Sequence, residues 1–128
     1  MKQRGTFFFA FFATFFFTLT LTFAFNYGGR AELTDAMRAI ARDVADGRID
    51  PKRVDERMIE RHLYAPDMPD PDLIVRTSGE YRLSNFLMWE AAYSELVFTD
   101  VLWPDFRREH LVEAIAEYQK RDRRFGSV

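Results

Sequence analysis

Residues 72–86 read DLIVRTSGEYRLSNF, and this stretch decides the fold class. Its first five residues, Asp72–Arg76, are a short apolar run with a charged exit, a pattern that predicts a strand buried in a parallel sheet. Thr77–Glu80 follows as a loop at the carboxyl end of that strand. Open α/β sheets bind ligands at this edge, so the same stretch predicts where a site lies.

Helical patterns precede the strand. Apolar residues recur at helical spacing from Leu33 to Val44, and Gly47 stands where a C-terminal cap belongs. A second helix is predicted with Asp50 as its N-cap and Pro51 at its first helical position.

Strand and helix alternate again later in the chain. Phe86–Tyr93 is compatible with a short helix, Leu96–Phe98 with a strand, and Phe106–Ala116 with a final amphipathic helix. The alternation predicts the α/β class, with a partial parallel sheet flanked by helices. The core is expected to include three aromatic side chains, those of Trp89, Tyr93 and Trp103.

Composition divides the chain in two. Residues 1–30 contain three basic and no acidic residues, whereas the rest contains 15 basic and 20 acidic residues. Ten of the 14 phenylalanines lie between Phe7 and Phe25. The net charge of −2 argues against a general nucleic-acid binder, and the lack of cysteine excludes a disulfide framework or a Cys-ligated zinc site.

The Phe-rich head leaves two interpretations open. The 20 uncharged residues from Thr6 to Phe25 are just long enough to cross a bilayer as a helix, and a basic segment precedes them. The alternation of threonine and apolar residues favours instead a strand at Leu19–Phe25, which we expect beside the strand at Leu73–Arg76. Residues 1–18 are treated as a head of doubtful origin, separate from a domain at residues 19–128.

Arg76, Arg82 and Ser84 lie on one loop after a buried strand. Two guanidinium groups and a hydroxyl suit a phosphate or a diphosphate. The alternative is that each arginine pairs with Glu80 or another carboxylate. Glu95 follows in an apolar stretch, and beside this loop it would be a candidate magnesium ligand or else an ordinary surface glutamate.

Several blocks of the sequence resemble the cis-prenyltransferases, specifically the bacterial undecaprenyl diphosphate synthases, also called isoprenyl transferases. They are NYGGR at 26–30, DLIVRTSGEYRLSNFLMW at 72–89, AYSEL at 92–96, WP at 103–104 and RRFG at 123–126. The order and spacing match from about Leu19 to Phe125. The central block is the most specific part of the resemblance.

The resemblance implies an enzyme that condenses isopentenyl diphosphate with an allylic prenyl diphosphate, uses magnesium, and works as a homodimer. It assigns the magnesium ligand to Glu95, and it places Arg124 and Gly126 in a terminal motif that reaches the partner subunit's site. It assigns substrate binding to seven residues in all: Asn26, Arg76, Arg82, Leu83, Ser84, Arg124 and Gly126.

One motif of the family, D-G-N-G-R-W-A with its essential aspartate, does not occur in this sequence. No catalytic residue is therefore assigned, and residues 19–128 are interpreted as the C-terminal portion of an isoprenyl transferase domain, a fragment inactive by itself. The alternatives are a membrane-anchored, non-catalytic partner subunit of a cis-prenyltransferase and an unrelated anion-binding module. The expected location is the cytoplasm, with membrane contact through the lipid product or through residues 6–25.

Overall fold

The computed structural model describes residues 20–121, in which helices and a small parallel sheet share the chain. The elements are α1 (Gly29–Ala45), a 3₁₀ turn (Pro51–Arg53), α2 (Glu56–Glu60), β1 (Leu73–Arg76), β2 (Glu95–Phe98), a second 3₁₀ turn (Trp103–Asp105) and α3 (Arg108–Tyr118). The predicted α/β class with a partial parallel sheet is confirmed. The head at residues 1–18 lies outside the described residues.

The two strands pair in parallel, with Leu73 opposite Glu95 and Arg76 opposite Phe98. The apolar run predicted as a buried strand supplies β1, and Val97 at the centre of β2 is only 4% exposed. Helix α3 packs against both strands. Because the strands run the same way, their carboxyl ends meet at one edge, and the loops that leave β1 and β2 start side by side.

Helix α1 forms where the apolar spacing predicts it and buries Ala36 and Ile40. Gly47 follows the helix with a φ of +73° and donates its N–H to the Val44 carbonyl oxygen at 3.0 Å, as a C-terminal glycine cap does. At the other end, the N–H of Gly29 donates to the backbone oxygen of Asn85 at 2.8 Å. The start of α1 is thereby hydrogen-bonded to the segment that follows residues 76–84. We call residues 76–84, which carry Arg76 and Arg82, the arginine loop.

The predicted second helix is wrong as one element, because it is two short pieces. Asp50 caps the first turn through a 2.9 Å bond from the Lys52 N–H, and Asp55 caps α2 through a 2.9 Å bond from the Met58 N–H. Val54 between them is extended, with a φ of −70° and a ψ of 118°. Two N-capping residues five positions apart each start a turn of their own.

The predicted helix at Phe86–Tyr93 is also wrong, since the segment is a series of turns. Ser84, Asn85 and Leu87 all have positive φ values, between 45° and 64°. A right-handed helix cannot run through left-handed residues. The backbone bonds of the segment are isolated turn bonds, such as those from the Ala91 N–H to the Leu87 oxygen at 2.9 Å and from the Ala92 N–H to the Trp89 oxygen at 3.2 Å.

The strand predicted at Leu19–Phe25 is wrong where the chain is described. Residues 20–25 form neither strand nor helix, and the described sheet contains only β1 and β2. Leu21, Phe23 and Phe25 are each more than half exposed. Alternating threonine and apolar residues encode a preference, but a strand also needs a neighbour whose backbone groups it can pair with.

The membrane interpretation of residues 6–25 falls mostly outside the described residues. Within residues 20–121, no helix has the length and apolar character needed to span a bilayer.

The three aromatic residues expected in the core take different positions. Trp89 is partly buried, but Tyr93 and Trp103 are 67% and 72% exposed. Trp103 stacks on Phe106 with ring centroids 6.0 Å apart, on the surface of the domain. The expectation is therefore wrong for two of the three, because a two-stranded sheet with one covering helix offers little interior volume.

Candidate functional site

The loop after β1 is fastened to the segment after β2. The N–H groups of Ser78 and Gly79 donate to the backbone oxygens of Val101 and Thr99, each at 2.9 Å. Both donors are left-handed, with φ values of 69° and 64°, and a Cβ on Gly79 would lie 2.9 Å from Asp100 Oδ1. A glycine is required there by the close approach and by the backbone, and the loop conformation is fixed by bonds on both donors.

The two loop arginines converge on one carboxylate. Arg76 Nη2 forms an ion pair with Glu80 Oε2, and Arg82 Nη2 lies 2.5 Å from Glu80 Oε1. The hydrogen bond from Arg76, together with the charges of Arg82 and Arg76, holds the pKa of the Glu80 carboxyl below its ordinary value. Of the two interpretations left open by the sequence, pairing with Glu80 is the arrangement seen, and it brings both guanidinium groups onto a single anion.

A cavity of about 390 Å³ opens beside this cluster. Arg76 and Arg82 contribute its positive charge, and apolar residues that include Leu83, Phe86 and Phe98 form much of the remaining lining. A ligand with an anionic head and a short hydrocarbon body would be matched at both ends by this combination.

The other predicted site residues take separate positions. Ser84 is exposed and left-handed, with a φ of 52°, and does not line the cavity. Asn26 borders a different, smaller cavity. Arg124 and Gly126 lie outside the described residues. Among the seven predicted substrate-binding residues, Arg76, Arg82 and Leu83 are the ones that the cavity brings together.

Glu95 lies away from the arginine loop, at the opposite end of the strand pair. It is opposite Leu73, about 10 Å along the sheet from the level of Arg76 at the usual rise per residue. Its Oε2 accepts a 2.9 Å bond from Arg121 Nη1, and the same Nη1 donates to the Leu96 carbonyl oxygen at 2.8 Å. The expectation that Glu95 lies beside the arginine loop of its own chain is therefore wrong.

The described residues do not form a magnesium site by themselves. Residues 20–121 contain no group of three or more histidine, aspartate or glutamate side chains placed to hold a metal ion. The carboxylate of Glu95 is engaged by Arg121, which gives it a structural role at the end of α3. A metal at Glu95 would need oxygen ligands from another source.

A buried acidic cluster near the start of α1 was missed from the sequence. Glu32 is 2% exposed and accepts hydrogen bonds from the Tyr27 hydroxyl and, at 2.8 Å, from the Tyr64 N–H. Burial and the hydrogen bond to Glu32 raise the pKa of the Tyr27 hydroxyl. The missed signal is spacing, because position 32 is on the helical face that carries Ala36 and Ile40.

Glu90 lies near the same cluster and carries an unpaired atom. It is 7% exposed, and its Oε2 has no hydrogen-bond partner among the described residues. Burial raises the pKa of the Glu90 carboxyl, and the negative charges of Glu32 and Asp70 raise it further. The fold therefore holds this carboxyl at an energetic cost when it is ionised.

Comparison with known proteins identifies the family. Residues 13–126 match the family model of undecaprenyl diphosphate synthase. Isoprenyl transferase 2 of Streptomyces avermitilis is 60% identical over 110 residues, which are 86% of this chain and 39% of that protein. The Thermobifida fusca trans,polycis-polyprenyl diphosphate synthase, specific for (2Z,6E)-farnesyl diphosphate, is 59% identical over the same shares of the two chains.

A solved structure shows the same likeness. Lavandulyl diphosphate synthase from Lavandula x intermedia, in complex with dimethylallyl diphosphate, has 42% identity and a TM-score of 0.76 over 79% of this chain and 44% of that one. The chain belongs to the undecaprenyl diphosphate synthase family of prenyltransferases. It spans about two fifths of the length of the curated relatives described above.

The unpaired carboxylate of Glu90 generates a prediction about stability and pH. Because the pKa of Glu90 is higher in the folded chain than in the unfolded chain, stability is lost as the pH rises through the folded pKa. Glu90→Gln is expected to stabilise the fold by about 1 kcal/mol at about pH 8. Below about pH 4, where the wild-type carboxyl is protonated in both states, the gain should vanish.

Thermal unfolding across this pH range measures the effect, with the exposed Glu113→Gln as the matched control. A difference between Glu90→Gln and wild type that stays constant over the whole range would contradict the assignment of the penalty to the ionised carboxylate.

Proposed function

We propose that this chain carries the isopentenyl diphosphate site of a cis-prenyltransferase. The full reaction would form a carbon–carbon bond between an allylic prenyl diphosphate and isopentenyl diphosphate, with inorganic pyrophosphate leaving from the allylic substrate and a proton leaving from the isopentenyl unit, to give a cis-polyprenyl diphosphate. The observation that carries the proposal is the convergence of Arg76 and Arg82 on one anion beside a cavity whose lining is partly apolar. The names of the relatives, isoprenyl transferase and polyprenyl diphosphate synthase, support the same chemistry.

The arginine pair suits a diphosphate for physical reasons. Each planar guanidinium can donate two parallel hydrogen bonds to phosphate oxygens, and two such groups spread the ligand's charge over several donors. Arg76 is fixed at the end of β1, whereas Arg82 is 63% exposed and free to adjust to the ligand. Apolar residues such as Leu83 and Phe86 would then take the five-carbon body. This chain's part in the reaction is to hold and orient one substrate.

Magnesium is proposed as the cofactor on the strength of the family resemblance, with Glu95 as one ligand. The described residues supply no complete set of ligands, so we assign no reaction step to the ion. Magnesium commonly binds through one or two carboxylates together with substrate phosphates. For Glu95 to join such a set, its bond to Arg121 would have to open.

A homodimer is proposed as the working assembly. Leu111, Val112 and Ile115 share one face of α3 and are each at least 40% exposed. A second copy of the chain would remove this apolar face from water. The proposed location is the cytoplasm, with membrane contact through the lipid product or through residues 6–25.

Sedimentation velocity tests the assembly. The wild-type chain is expected to sediment at twice its 15.1 kDa mass, and Val112→Asp should shift it toward the monomer because it places a charge on the apolar face. Glu113→Asp, on the same helix, is the matched control. A wild-type monomer at all concentrations would contradict the dimer proposal.

The chain by itself is expected to lack prenyl-transfer activity. Its sequence contains no D-G-N-G-R-W-A motif, so the allylic substrate would have no site beside the arginine pair, and holding both substrates together is a large part of such catalysis. Incubation of the purified 128-residue chain with farnesyl diphosphate, labelled isopentenyl diphosphate and magnesium measures this. Any labelled long-chain product would contradict this expectation.

Diphosphate binding is expected to depend on both arginines, with Ser84 secondary. Arg82→Ala should weaken the binding of inorganic pyrophosphate by about 2 kcal/mol, or roughly thirtyfold, because it removes charge-assisted hydrogen bonds. Isothermal titration of the 128-residue chain measures this, with Arg38→Ala, a 71% exposed arginine of α1, as the control. Equal affinities of wild type and Arg82→Ala would remove Arg82 from the site.

Repeating the titration with and without magnesium tests the cofactor. If Glu95 contributes a ligand, magnesium should tighten pyrophosphate binding in wild type and less so in Glu95→Gln. An identical effect of magnesium on both proteins would contradict the proposal that Glu95 is a magnesium ligand.

A further inference from the structure

Glu80 occupies the place in the arginine pair that an anionic ligand would take. Its two carboxylate oxygens are divided between the two guanidinium groups, Oε2 to Arg76 and Oε1 to Arg82. The Nη2 group of each arginine is already paired with the carboxylate, so a phosphate oxygen that approaches this group must displace it. The carboxylate and the ligand therefore compete for the Nη2 donors of the two arginines and for their positive charge.

We propose that Glu80 is an internal competitor of the diphosphate, which closes over both arginines when the site is empty and must leave when the ligand binds. The inference rests on the proposed function, since it takes the arginine pair as the diphosphate site. It adds a role for a residue that lies between the two substrate-binding arginines in sequence and in space.

The backbone around Glu80 keeps the competitor in place. The preceding residues, Ser78 and Gly79, are bonded to the segment after β2 at 2.9 Å each, and Gly79 has a φ of +64°, which a side chain would strain. The loop is thus fixed up to the residue before Glu80. Exchange with a ligand then requires rotation of one glutamate side chain, which is 37% exposed, and no movement of the sheet.

The competition sets how tightly the site can hold a diphosphate. In a two-state scheme, the apparent dissociation constant equals the intrinsic one divided by the fraction of molecules in which Glu80 has released the arginines. The strength of the two ion pairs fixes that fraction. Each pair is partly exposed, so each closes the site only modestly.

A modest closure fits a site that is used repeatedly. In the proposed reaction, the allylic substrate loses its diphosphate and the isopentenyl unit keeps its own, so the lengthened chain must carry that diphosphate away from Arg76 and Arg82 before the next unit enters. A carboxylate that returns to both guanidinium groups offsets the loss of ligand contacts at that moment. Glu80 would thereby lower the affinity of the site for the diphosphate and speed the release of the diphosphate.

Titration of inorganic pyrophosphate into the 128-residue chain tests the inference. Glu80→Gln keeps the size of the side chain and removes its charge, so its dissociation constant should fall about tenfold below that of wild type. Glu80→Asp, one methylene shorter, should lie between the two because it reaches the arginines less well. Glu113→Gln, an exposed glutamate of α3, should bind as wild type does.

The outcomes separate this inference from the proposed function. Tighter binding by Glu80→Gln, lost again when Arg82→Ala is added, supports both. Equal or weaker binding by Glu80→Gln, with wild-type binding still dependent on Arg82, overturns the competitor role and leaves the proposed function standing. Absence of Arg82-dependent binding in every variant overturns the proposed function and this inference with it. Circular dichroism checks each fold, and if Glu80→Gln does not fold, Glu80→Asp decides between the first two outcomes.

Discussion

The parallel pairing of β1 with β2 is the constraint on which the rest of the structure depends. With Arg76 opposite Phe98, both strands end at the same level, and the chain leaves them in two adjacent loops. In this register, the N–H groups of Ser78 and Gly79 reach the backbone oxygens of Val101 and Thr99 in the segment after β2. A shift by one residue would turn the side chain of Arg76 to the other face of the sheet and separate it from Arg82.

The same register places the charged residues in two groups, one at each end of the strand pair. At the carboxyl end of the strands, three charges gather around one cavity, and their ion pairs are in contact with solvent. At the amino end, Glu95 and Arg121 form a bond that joins α3 to β2. The charges at one end therefore border a cavity, and those at the other end connect the residues after α3 to β2.

Elements with a strong local signal could be predicted from the sequence. The run at Leu73–Arg76 and the spacing from Leu33 to Val44 each specify their structure within a few residues, and Gly47 stops the helix where it stands. The arginine loop could also be located, because a polar exit from a buried strand defines the site edge of an α/β sheet. The placement of Arg76 and Arg82 on one loop could therefore be predicted from the sequence.

Elements decided by distant contacts could not be predicted. Residues 20–25 have the composition of a strand but no partner in the described sheet. Phe86–Tyr93 has the composition of a helix but forms turns, with Leu87 in the left-handed region at a φ of 45°. The position of Glu95 depends on which residue faces it across the sheet, and sequence proximity to the arginine loop gives no information on that. The sequence offered Glu80 as a partner of the arginines, but only the structure could decide between that pairing and an open anion site.

The hydrogen bonds of Asn85 connect one wall of the cavity to helix α1. Its backbone oxygen and its Oδ1 accept the N–H groups of Gly29 and Arg30, each at 2.8 Å, so it closes the amino end of α1. Moving the segment that carries Asn85 would leave the N–H donors of Gly29 and Arg30 without these acceptors, at a helix end whose N-cap residue makes no side-chain cap. The part of the cavity wall formed by Leu83 and Phe86, which flank Asn85 in the sequence, is thereby attached to the 17-residue helix α1.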